Sequence, residues 1–564
     1  MSVLGKKWEI NNKGKYLNVV EKILAIRGLD DPADLARFVK PDFKKDFHDP
    51  YLLKDMDVAV KRVYKAIENK ERIIVYGDYD VDGISAAAIM VIALRHIGAQ
   101  VSYRLPHRLE DGYGLSEKFI KEFKEVGVSV LITVDCGVSN AEEIKKAKKE
   151  GIDVIVTDHH KIPKKYPKDA YAILHPMRED GDYPYKWLTG AGVAFKFAHA
   201  LLQKDGHRQE DNSLIWALLD LASLGTVADC GPITGENRLI VKKGLQMLPQ
   251  TKWHGLELLQ KMARVDFNKP CNTHTIGFQI APRINAAGRI DSPYFALQLL
   301  IQSEKTESAK RLAEKLETLN VKRQKMTADA LVEAEHRIQN PENAKIYIEY
   351  DKKWHVGIIG LVAGKIADKY MRPAIVMQDF GDYLVASARS PKFFNVIETI
   401  TKLSSLLDNF GGHAQAAGFS IQKKHLKDFI KEMRQYAYKM VNVDDLKPIL
   451  DIDCEIKSDE INWDTVELLE SLEPYGISNE RPKFLLKNVK VDYVKHIGKQ
   501  ARHLAFQASK DGKSLRSIGF NMGRFADYAR KHRLLDIVFQ LERNRWKGNN
   551  SIEMKLIDFS ASKN

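Results

Sequence analysis

The sequence predicts an α/β protein of several domains, with a parallel sheet, a long connecting helix and a small β-barrel at its carboxyl end. Its 564 residues exceed what one hydrophobic core normally supports. Short apolar strands alternate with helical segments from residue 72 and again from residue 345, which is typical of α/β domains. Beyond residue 447 short strands follow one another with turns between them, as in a barrel or sandwich.

The first α/β region has the pattern of a parallel sheet covered on both faces, because its strands are apolar throughout and separated by helices. Mainly helical structure is predicted after it, over residues 189–204 and 214–227. The predicted strands are 72–76, 101–105, 129–134 and 153–157, and the predicted helices are 84–97, 116–126 and 141–150.

A long helix is predicted next. Asp291-Ser292-Pro293 is a helix-start signal, and after it neither glycine nor proline occurs until Pro341. Leu312, Leu316 and Leu319 form a partial apolar stripe among charged residues. One largely exposed helix over 304–339 would join two bodies; a broken pair of surface helices is the alternative.

The remaining elements complete the expected architecture. The second α/β region has predicted strands 345–350, 374–377 and 383–388 and helices 357–369, 396–407 and 426–440, with a glycine-rich stretch at 411–413. The predicted strands of the terminal β region are 485–494, 503–508, 515–520, 536–542 and 552–556.

Composition points to a polyanionic partner. The formal net charge is +13, which favours nucleic acid or an anionic membrane surface, although such an excess can also serve solubility alone. The longest apolar run, 84–94, is too short to span a bilayer, and residues 6–9 lack a signal-peptide pattern. Four separated cysteines without a CxxC pair indicate neither disulfides nor a zinc ribbon. A cytoplasmic location is the expectation.

Acidic residues follow the ends of successive predicted strands. Asp78, Asp80 and Asp82 follow the first strand, Asp135 follows the third, Asp158-His159-His160 follows the fourth, and Asp229 ends a helix. The first group resembles a calcium loop, but Ile89 stands where an EF-hand needs glutamate. One such acid is usually a helix cap, whereas four acid-bearing turns on one sheet edge repel one another unless cations neutralise them.

Carboxylates with imidazoles suit Mn²⁺ or Mg²⁺. Two such ions about 4 Å apart can activate water and stabilise the leaving oxygen of a phosphodiester. The sequence therefore predicts a metal-dependent phosphoesterase with two divalent cations.

Four segments carry a resemblance to a known family. Gly77–Gly83, Val134–Gly137, Thr157–His160 and Gly225–Asp229 resemble the signature motifs of the DHH phosphoesterase superfamily. Within it, the order of domains is similar to that of bacterial exonucleases that degrade single-stranded DNA from the 5′ end. The resemblance implies an amino-terminal segment packed on the catalytic domain (1–50), a DHH catalytic domain (51–300), a connecting helix (301–340), a DHHA1 domain (341–446) and an OB-fold strand-binding domain (447–564).

The resemblance also implies roles for the acids and histidines. Asp80 would ligate the first metal and Asp135 would bridge both, while Asp82, His159 and Asp229 would complete the second site. His160 would contact the scissile phosphate, and Asp158 would orient a neighbouring histidine. Asp78 is open as a ligand, a general base through water or a surface acid. Tyr76 stands where related manganese pyrophosphatases have a histidine, which predicts weaker binding of the first metal.

A second set of polar residues would hold the substrate phosphates. Hydroxyls, guanidinium groups and exposed amides suit phosphate, and the resemblance places them across a cleft from the metals. The set comprises Arg108, Arg283, Arg289, Ser387, Arg389, Ser390 and His413. His413 is equally a candidate structural histidine.

The terminal β region resembles an OB-fold, which binds single strands by basic grooves and stacked aromatics. Tyr493, Phe506 and Phe520 are the candidate stacking residues. Because alternate aromatics are more often core, we expect at most two of the aromatic side chains in this region to stack.

The resemblance implies a single-strand-specific 5′→3′ exodeoxyribonuclease that releases 5′-mononucleotides in DNA recombination and repair, and the features above agree with a metal-dependent enzyme that acts on nucleic acid. Single-stranded DNA is the expected partner and a monomer the expected state, and the resemblance implies a single-strand-binding protein and a helicase as further partners. The alternatives are a phosphodiesterase of the same superfamily acting on short RNA or cyclic dinucleotides, and an inactive DNA-binding scaffold. The terminal barrel argues against the first alternative, and retention of all the carboxylates argues against the second.

Overall fold

The computed structural model describes residues 2–11, 18–108, 111–112, 114–204, 213–338, 343–442, 446–546 and 549–562. The chain divides into two compact units. One consists of Met1–Pro41, Ala437–Tyr475 and Asn479–Asn564, and the other consists of Asp42–Tyr436 with Gly476–Ser478.

The amino-terminal segment belongs to the unit that contains the terminal barrel. It holds β1 (Lys7–Ile10), α1 (Val19–Ile26) and α2 (Pro32–Val39). β1 pairs in parallel with residues 449–452, and Val19 and Ile23 share a core with barrel residues. Of the segment 1–50, expected to pack on the catalytic domain, residues 1–41 belong to the barrel unit, which buries the apolar face of α1, and residues 42–50 belong to the unit of the catalytic domain.

The catalytic domain is built on a five-stranded parallel sheet in the order β3-β2-β4-β5-β6. The four predicted strands are confirmed to within one residue at every end, whereas the three-residue β6 is too short to leave a pattern. In chain order the first elements are α3 (Phe43–Asp46), α4 (Met56–Glu68), β2 (Arg72–Gly77), α5 (Val81–His96), β3 (Gln100–Arg104), α6 (Glu117–Glu125), β4 (Val128–Val134), α7 (Ala141–Lys149), β5 (Asp153–Thr157) and β6 (Ala172–Leu174).

Helices complete this domain and bury α5 on every side. α5 packs against α8 and α9 as well as the sheet, which explains why it lacks a polar face. A π-helical turn, Thr275–Ile280, leads directly into α12. These helices are α8 (Gly190–Lys204), α9 (Ser213–Ala228), α10 (Gly235–Met247), α11 (His254–Met262), α12 (Ala281–Ile290) and α13 (Tyr294–Leu300).

The predicted long helix is confirmed as one element, α14 (Glu307–Arg337), and the broken-pair alternative is wrong. Its start is capped by the Thr306 hydroxyl, which accepts a hydrogen bond from the Ala309 amide at 3.1 Å. Leu316 and Leu319 are buried, as the apolar stripe requires. α14 packs on α11, α12 and α13 and, further along, on the next domain, so it joins the two α/β bodies within one unit.

The second α/β domain is a mixed sheet in the order β10-β11-β9-β8-β7. β7 and β8 are parallel and the other neighbours are antiparallel. The glycine-rich stretch forms the end of β10, opposite β11 in a hairpin. The elements are β7 (Tyr347–Asp351), α15 (Val356–Tyr370), β8 (Ala374–Asp379), β9 (Tyr383–Arg389), α16 (Val396–Lys402), β10 (Asn409–His413), β11 (Ala416–Gln422) and α17 (Leu426–Met440).

The terminal domain is a closed five-stranded barrel, because β14 pairs with both β15 and β17 in the sequence β14-β15-β16-β18-β17. Its elements are β12 (Ile449–Ile452), β13 (Cys454–Glu455), α18 (Trp463–Ser471), β14 (Phe484–Ile497), β15 (His503–Lys510), β16 (Lys513–Gly519), α19 (Ala526–Lys531), β17 (Leu534–Trp546) and β18 (Asn549–Ala561). The predicted OB-like barrel is thus confirmed. Among the described residues, no helix has the length and apolar character needed to cross a membrane.

Candidate metal centre and phosphate site

The turn after β2 presents the first group of carboxylates. The Asp80 side chain caps α5, accepting hydrogen bonds from the amides of Asp82 at 2.9 Å and Gly83 at 3.1 Å. A Cβ atom on Gly83 would lie 2.7 Å from the Asp78 backbone, so only glycine allows this tight turn. The turn therefore brings the side chains of three aspartates to the carboxyl edge of the sheet.

Asp82 is fixed by the amino terminus of α8. The amides of Gly190 and Ala191 donate to its two carboxylate oxygens at 2.7 and 2.9 Å. A Cβ on Gly190 would lie 2.4 Å from Asp135 Oδ1, and one on Gly225 would lie 2.4 Å from Asp82 Oδ1. Both glycines therefore let helices approach the carboxylates at van der Waals distance.

His159 lies at the centre of the acidic cluster. Its Nε2 atom is 3.0 Å from Asp135 Oδ1, 3.7 Å from Asp82 Oδ2 and 3.8 Å from Asp229 Oδ2. Three overlapping sets of ligand atoms lie within 4.8 Å of one another. They are Asp82 with His159 and Asp229, Asp135 with His159 and His160, and Asp78 with Asp80 and Asp135.

His160 is oriented from two sides. Its Nδ1 atom is 2.9 Å from Asp158 Oδ1, and Asp158 also accepts from the amides of Val138, His159 and His160. The His160 carbonyl accepts a hydrogen bond from His175 Nε2 at 2.8 Å. Because the Met177 amide donates to His175 Nδ1, His175 must carry its proton on Nε2. Asp158 therefore lies where it can orient the His160 ring.

The pKa values of His159 and His160 are shifted in opposite directions. Burial acts to lower the pKa of His160, but the hydrogen bond and charge of Asp158 outweigh it and raise the pKa to about 9. Burial also acts to raise the pKa of Asp158, but its bonds to His160 and to backbone amides hold it at about 2. Burial and the neighbouring His160 lower the pKa of His159 to about 3. His159 is thus neutral, as a metal ligand must be.

The carboxylates resist ionisation without a cation. Burial, then the charge of Asp80, raises the pKa of Asp78 to about 8 and that of Asp229 to about 7. Burial and neighbouring aspartates raise the pKa values of Asp82 and Asp135 well above the ordinary value. Hard carboxylate oxygens with neutral imidazole nitrogen form a ligand set for a divalent cation. The residues present therefore fit Mn²⁺ or Mg²⁺.

The structure defines the surroundings of Asp78, whose role the sequence left open, and of Tyr76. Asp78 is 5% exposed, which eliminates its reading as a surface acid. Tyr76 is fully buried on the face of β2 that packs against Phe119 of α6, and its hydroxyl donates to the Gly114 carbonyl at 2.7 Å. It supplies no ligand to the cluster, so the first set depends on Asp78, Asp80 and Asp135.

Arginines gather beside the metal centre. The Arg108 guanidinium lies 4.1 Å from the Tyr79 ring centroid. Burial, then the charges of Arg108, Arg323 and Arg389, lowers the pKa of Arg289 to about 9. Burial and Arg108 likewise lower the pKa of Arg389. Cations that repel one another in this way form a binding site for an anion such as phosphate.

Ser387 and Ser390 differ in their positions. The Ser387 hydroxyl accepts from Arg389 at 3.1 Å and so lies at the arginine cluster. The Ser390 hydroxyl donates to the Phe394 carbonyl at 2.7 Å, and His413 lies exposed at the end of β10. The structure gives neither Ser390 nor His413 a contact with the arginines.

Arg283 is placed differently from the prediction. Its Nε atom lies 2.6 Å from Glu317 Oε2 of α14, and its other nitrogens donate to the carbonyls of Gln279 and Met262. With its donors so engaged, Arg283 ties α12 to α14, and its prediction as a phosphate ligand is wrong in this conformation.

Two of the three candidate stacking residues in the barrel are exposed. Tyr493 is 81% exposed and Phe520 is 53% exposed. Phe506 is 2% exposed and packs edge-on against Phe559 in the barrel core. Its prediction as a stacking residue is wrong because its position in β15 points inward, which agrees with the expected maximum of two.

Sequence reasoning missed His175 and Arg323. His175 follows β6, so a prediction of that short strand would have placed it at the same edge as the other site residues. Arg323 is one of many charged residues on α14, and only the packing of that helix brings it to Arg289. No local signal marks it.

Family models match three regions of the chain. Residues 72–226 match the amino-terminal domain of the DHH family, residues 343–439 match the DHHA1 domain, and residues 452–558 match the RecJ OB domain. The residues of the metal centre other than Asp229 lie in the first region, and Ser387 and Arg389 lie in the second. The fold and site thus define a metal-dependent phosphoesterase of the DHH type.

The relatives narrow this class. The single-stranded-DNA-specific exonuclease RecJ of Bacillus subtilis is 35% identical over 547 residues, which cover 96% of this chain and 68% of that protein. The structure of RecJ from Thermus thermophilus with Mn²⁺ has a TM-score of 0.81 at 28% identity, covering 99% of this chain and 80% of that one. Its structure with Mg²⁺ has a TM-score of 0.76 at 27% identity, covering 99% and 79%. The chain belongs to the RecJ family.

Proposed function

We propose that the protein is a single-stranded-DNA-specific exonuclease that hydrolyses phosphodiester bonds from the 5′ end and releases 5′-mononucleotides. The observation that carries this proposal is that the arginine cluster lies beside the carboxylate-imidazole centre. The charge of Asp80 influences the pKa of Arg289 in the cluster as well as the pKa values of Asp78 and Asp229 in the centre. An end phosphate held by arginines at a fixed distance from a hydrolytic centre makes cleavage proceed from a terminus. The polarity and the role in recombination and repair follow the RecJ family.

In this proposal the acidic cluster divides between two cations. Asp82, His159 and Asp229 would hold one cation, Asp80 would hold the other, and Asp135 would supply ligand atoms to both. Asp78 would join Asp80 as a ligand, because its buried carboxyl lies within reach of the same point. Bound cations supply a nucleophilic hydroxide at neutral pH and neutralise charge on the reacting phosphate.

His160 then acts on the phosphate rather than on a metal. Asp158 keeps it protonated and fixes its ring, so a charged N–H is available to a phosphate oxygen as negative charge develops. His175 fixes the same residue through its backbone carbonyl. The positive charge of His160 is thus held in place before the reaction, so it need not reorganise as negative charge develops on the phosphate.

Arg108, Arg289, Arg389 and Ser387 would hold the phosphate at the 5′ end. Ser387 and Arg389 come from β9 and Arg289 from α12, so the site forms only where the two α/β domains meet within their common unit. The Arg289 side chain also donates to the Gly357 carbonyl at 3.2 Å, which ties it to α15.

The barrel would itself bind single-stranded DNA through Tyr493 and Phe520. A monomer is sufficient for this proposal, since both phosphate-binding and metal-binding residues come from one chain. By the RecJ resemblance we also propose a single-strand-binding protein and a helicase as partners, and a cytoplasmic location where DNA is accessible.

The test is a nuclease assay with Mn²⁺ or Mg²⁺ and single strands labelled separately at the 5′ and 3′ ends. We expect early release of a labelled mononucleotide from the 5′-labelled strand alone. Asp82→Asn should lower kcat by at least about 100-fold, as for loss of one charge-stabilising group. Asp57→Ala, which removes an exposed acid paired with Lys61, is the matched control and should leave kcat unchanged. Hydrolysis confined to dinucleotides, or full activity of Asp82→Asn, would contradict the proposal.

A further inference from the structure

A cavity of about 870 Å³ opens between the loops that follow β5 and β6. Its apolar wall includes Ile162, Tyr166, Met177 and Trp187. The lining begins at Lys161, the residue after His160, so the cavity adjoins the metal centre along the chain. A volume of several hundred Å³ is typical of sites for small organic groups.

The order of strands places the cavity on a definite side of the metal centre. In the sheet order β3-β2-β4-β5-β6, Arg108 follows β3, Asp80 follows β2, Asp135 follows β4 and His160 follows β5. The cavity lies after β5 and β6 at the far end of the same edge. Neighbouring strands are about 4.8 Å apart, so this edge extends over roughly 19 Å, enough for several nucleotides.

Trp187 is exposed although its backbone is held. The side chain is 61% exposed, while its carbonyl accepts a hydrogen bond from Asn237 Nδ2 at 2.7 Å. Three residues later, the Gly190 amide binds the Asp82 carboxylate. An exposed indole on a segment anchored to the metal centre is a platform on which any base can stack.

The charges around the cavity suit a phosphodiester backbone. Lys161 and Lys164 are exposed, and no carboxylate in the described ranges lies within ion-pair distance of either. The acid Asp180 pairs with the buried Arg178, which is shared with Asp55. Glu179 is the remaining acid of the lining. The segment of the wall next to His160, residues 161–164, is therefore cationic, and the acids of the lining lie on the other loop, at 179 and 180.

We propose that this cavity is a second nucleotide subsite, on the opposite side of the metal centre from the arginine cluster. A base of the single strand stacks on Trp187, and the adjoining phosphates contact Lys161 and Lys164. This inference rests on the proposed function. A subsite that takes an unpaired base favours a single strand over a duplex, whose bases are stacked and paired with each other.

The subsite has a direct connection to the catalytic histidine. Met177 lines the cavity, its amide donates to His175 Nδ1 at 3.1 Å, and His175 Nε2 donates to the His160 carbonyl. A base that packs on Met177 would therefore contact the first residue of the hydrogen-bonded chain that runs through His175 to His160. Filling the subsite couples strand binding to the geometry of cleavage.

The test combines Trp187 variants with substrates that lack one base. The substrates are 5′-phosphorylated single strands with one abasic position, moved through the first six nucleotides. In the wild-type enzyme, one position should raise KM about 5- to 100-fold, the range that base–aromatic stacking contributes. Trp187→Ala should raise KM for intact strands by a similar factor and become insensitive to that position, while Trp187→Phe should restore most of the sensitivity.

Tyr171→Ala is the matched control. Tyr171 is also an exposed aromatic, but it precedes β6, and its amide donates to the Val154 carbonyl near the start of β5, at the other edge of the sheet. It should behave as wild type. If the wild type cleaves single strands while Trp187→Ala matches it at every abasic position, the subsite is disproved and the proposed function stands. In that case a segment of a partner protein would be the alternative occupant of the cavity. If the wild type does not cleave single strands, both proposals fail.

Discussion

At the scale of single residues, the metal centre consists of carboxylates that repel one another when no cation is bound. Asp82 and Asp135 are almost fully buried, and neighbouring aspartates raise their pKa values. Backbone amides and glycine contacts nevertheless hold both side chains in place. The arrangement favours metal binding over the stability of the metal-free protein.

Replacing Asp135 with asparagine should therefore stabilise the metal-free protein while abolishing its response to metal. In excess chelator, Asp135→Asn should melt at least about 2 °C above wild type, since even 1 kcal/mol of relieved repulsion shifts Tm by this amount in a large domain. Adding Mn²⁺ should raise the Tm of wild type but not of the variant. Thermal unfolding with and without Mn²⁺ measures both. Equal Mn²⁺ responses would contradict the assignment of Asp135 as a bridging ligand.

Arg283 and Arg289 lie on the same helix but should have separable roles. Arg289→Met removes a cation from the arginine cluster, so KM for 5′-phosphorylated strands should rise roughly 10- to 100-fold, as for a charged hydrogen bond. Arg283→Met removes the partner of Glu317, so Tm should fall while KM stays unchanged. Kinetics and melting of both variants test this. A rise in KM for Arg283→Met would restore it as a phosphate ligand.

The buried Asp220 should make stability depend on pH. Burial raises its pKa to about 7, although Thr251, the Leu221 amide and Trp253 donate hydrogen bonds to it. A raised pKa in the folded state gives a contribution that is complete below the ordinary value near 4 and is lost as pH rises through 7. Between pH 5 and pH 8 the Tm of Asp220→Asn should fall less than that of wild type. Parallel curves would show that Asp220 is ionised in the fold.

At the scale of elements, the contact between α12 and α15 sets the spacing of the phosphate site. A Cβ on Gly357 would lie 1.9 Å from the Arg289 carbonyl, whereas a Cβ on Gly364 of the same helix would have its nearest neighbour, Arg389 Cγ, at 4.0 Å. The two glycines therefore form a matched pair, one at the junction of the domains and one clear of it.

Gly357→Ala should displace α15 from α12 and lower kcat/KM by at least about 10-fold, because small errors in the positioning of reactants are costly. Gly364→Ala should leave kcat/KM unchanged and stabilise the helix by about 0.5–1 kcal/mol. Steady-state kinetics and denaturant unfolding distinguish these effects. Equal kinetics for the two variants would show that the junction tolerates movement.

How much could be predicted from the sequence depends on how local the signal is. Strand ends and their acids follow from apolar runs and turns, so Asp82, Asp135, His159 and Asp229 could be predicted to share a sheet edge. By contrast, Arg283 and Arg289 are six residues apart, which rotates their side chains by about 240° around α12. Only the packing of α12 on α14 decides which one faces the substrate.

Barrel aromatics show the same limit. Phe506 and Phe520 are similar in sequence context, but the first points into the barrel and the second follows the end of β16. Which face of a strand is inside depends on how the barrel closes, through the pairing of β14 with β17. That pairing joins residues about fifty positions apart, so no local pattern reveals it.

At the scale of the whole molecule, the amino-terminal segment should support the barrel unit and not the catalytic domain. Deleting residues 1–41 removes β1, the partner of β12, and uncovers the core around Cys454 and Leu469 that Val19 and Ile23 cover. The barrel unit should then become sensitive to protease. The α/β unit should retain its metal response, measured as the Mn²⁺-dependent rise in Tm. Loss of the metal response with an intact barrel would contradict this division.

The pairing of β1 with β12 also has a consequence for synthesis. The first strand leaves the ribosome roughly 440 residues before the strand it pairs with, so at 5–20 residues per second it waits on the order of a minute. During that interval the intervening α/β unit can complete its own core. The amino-terminal helix remains exposed and apolar until the barrel emerges, which makes this segment the natural point of contact for a chaperone during translation.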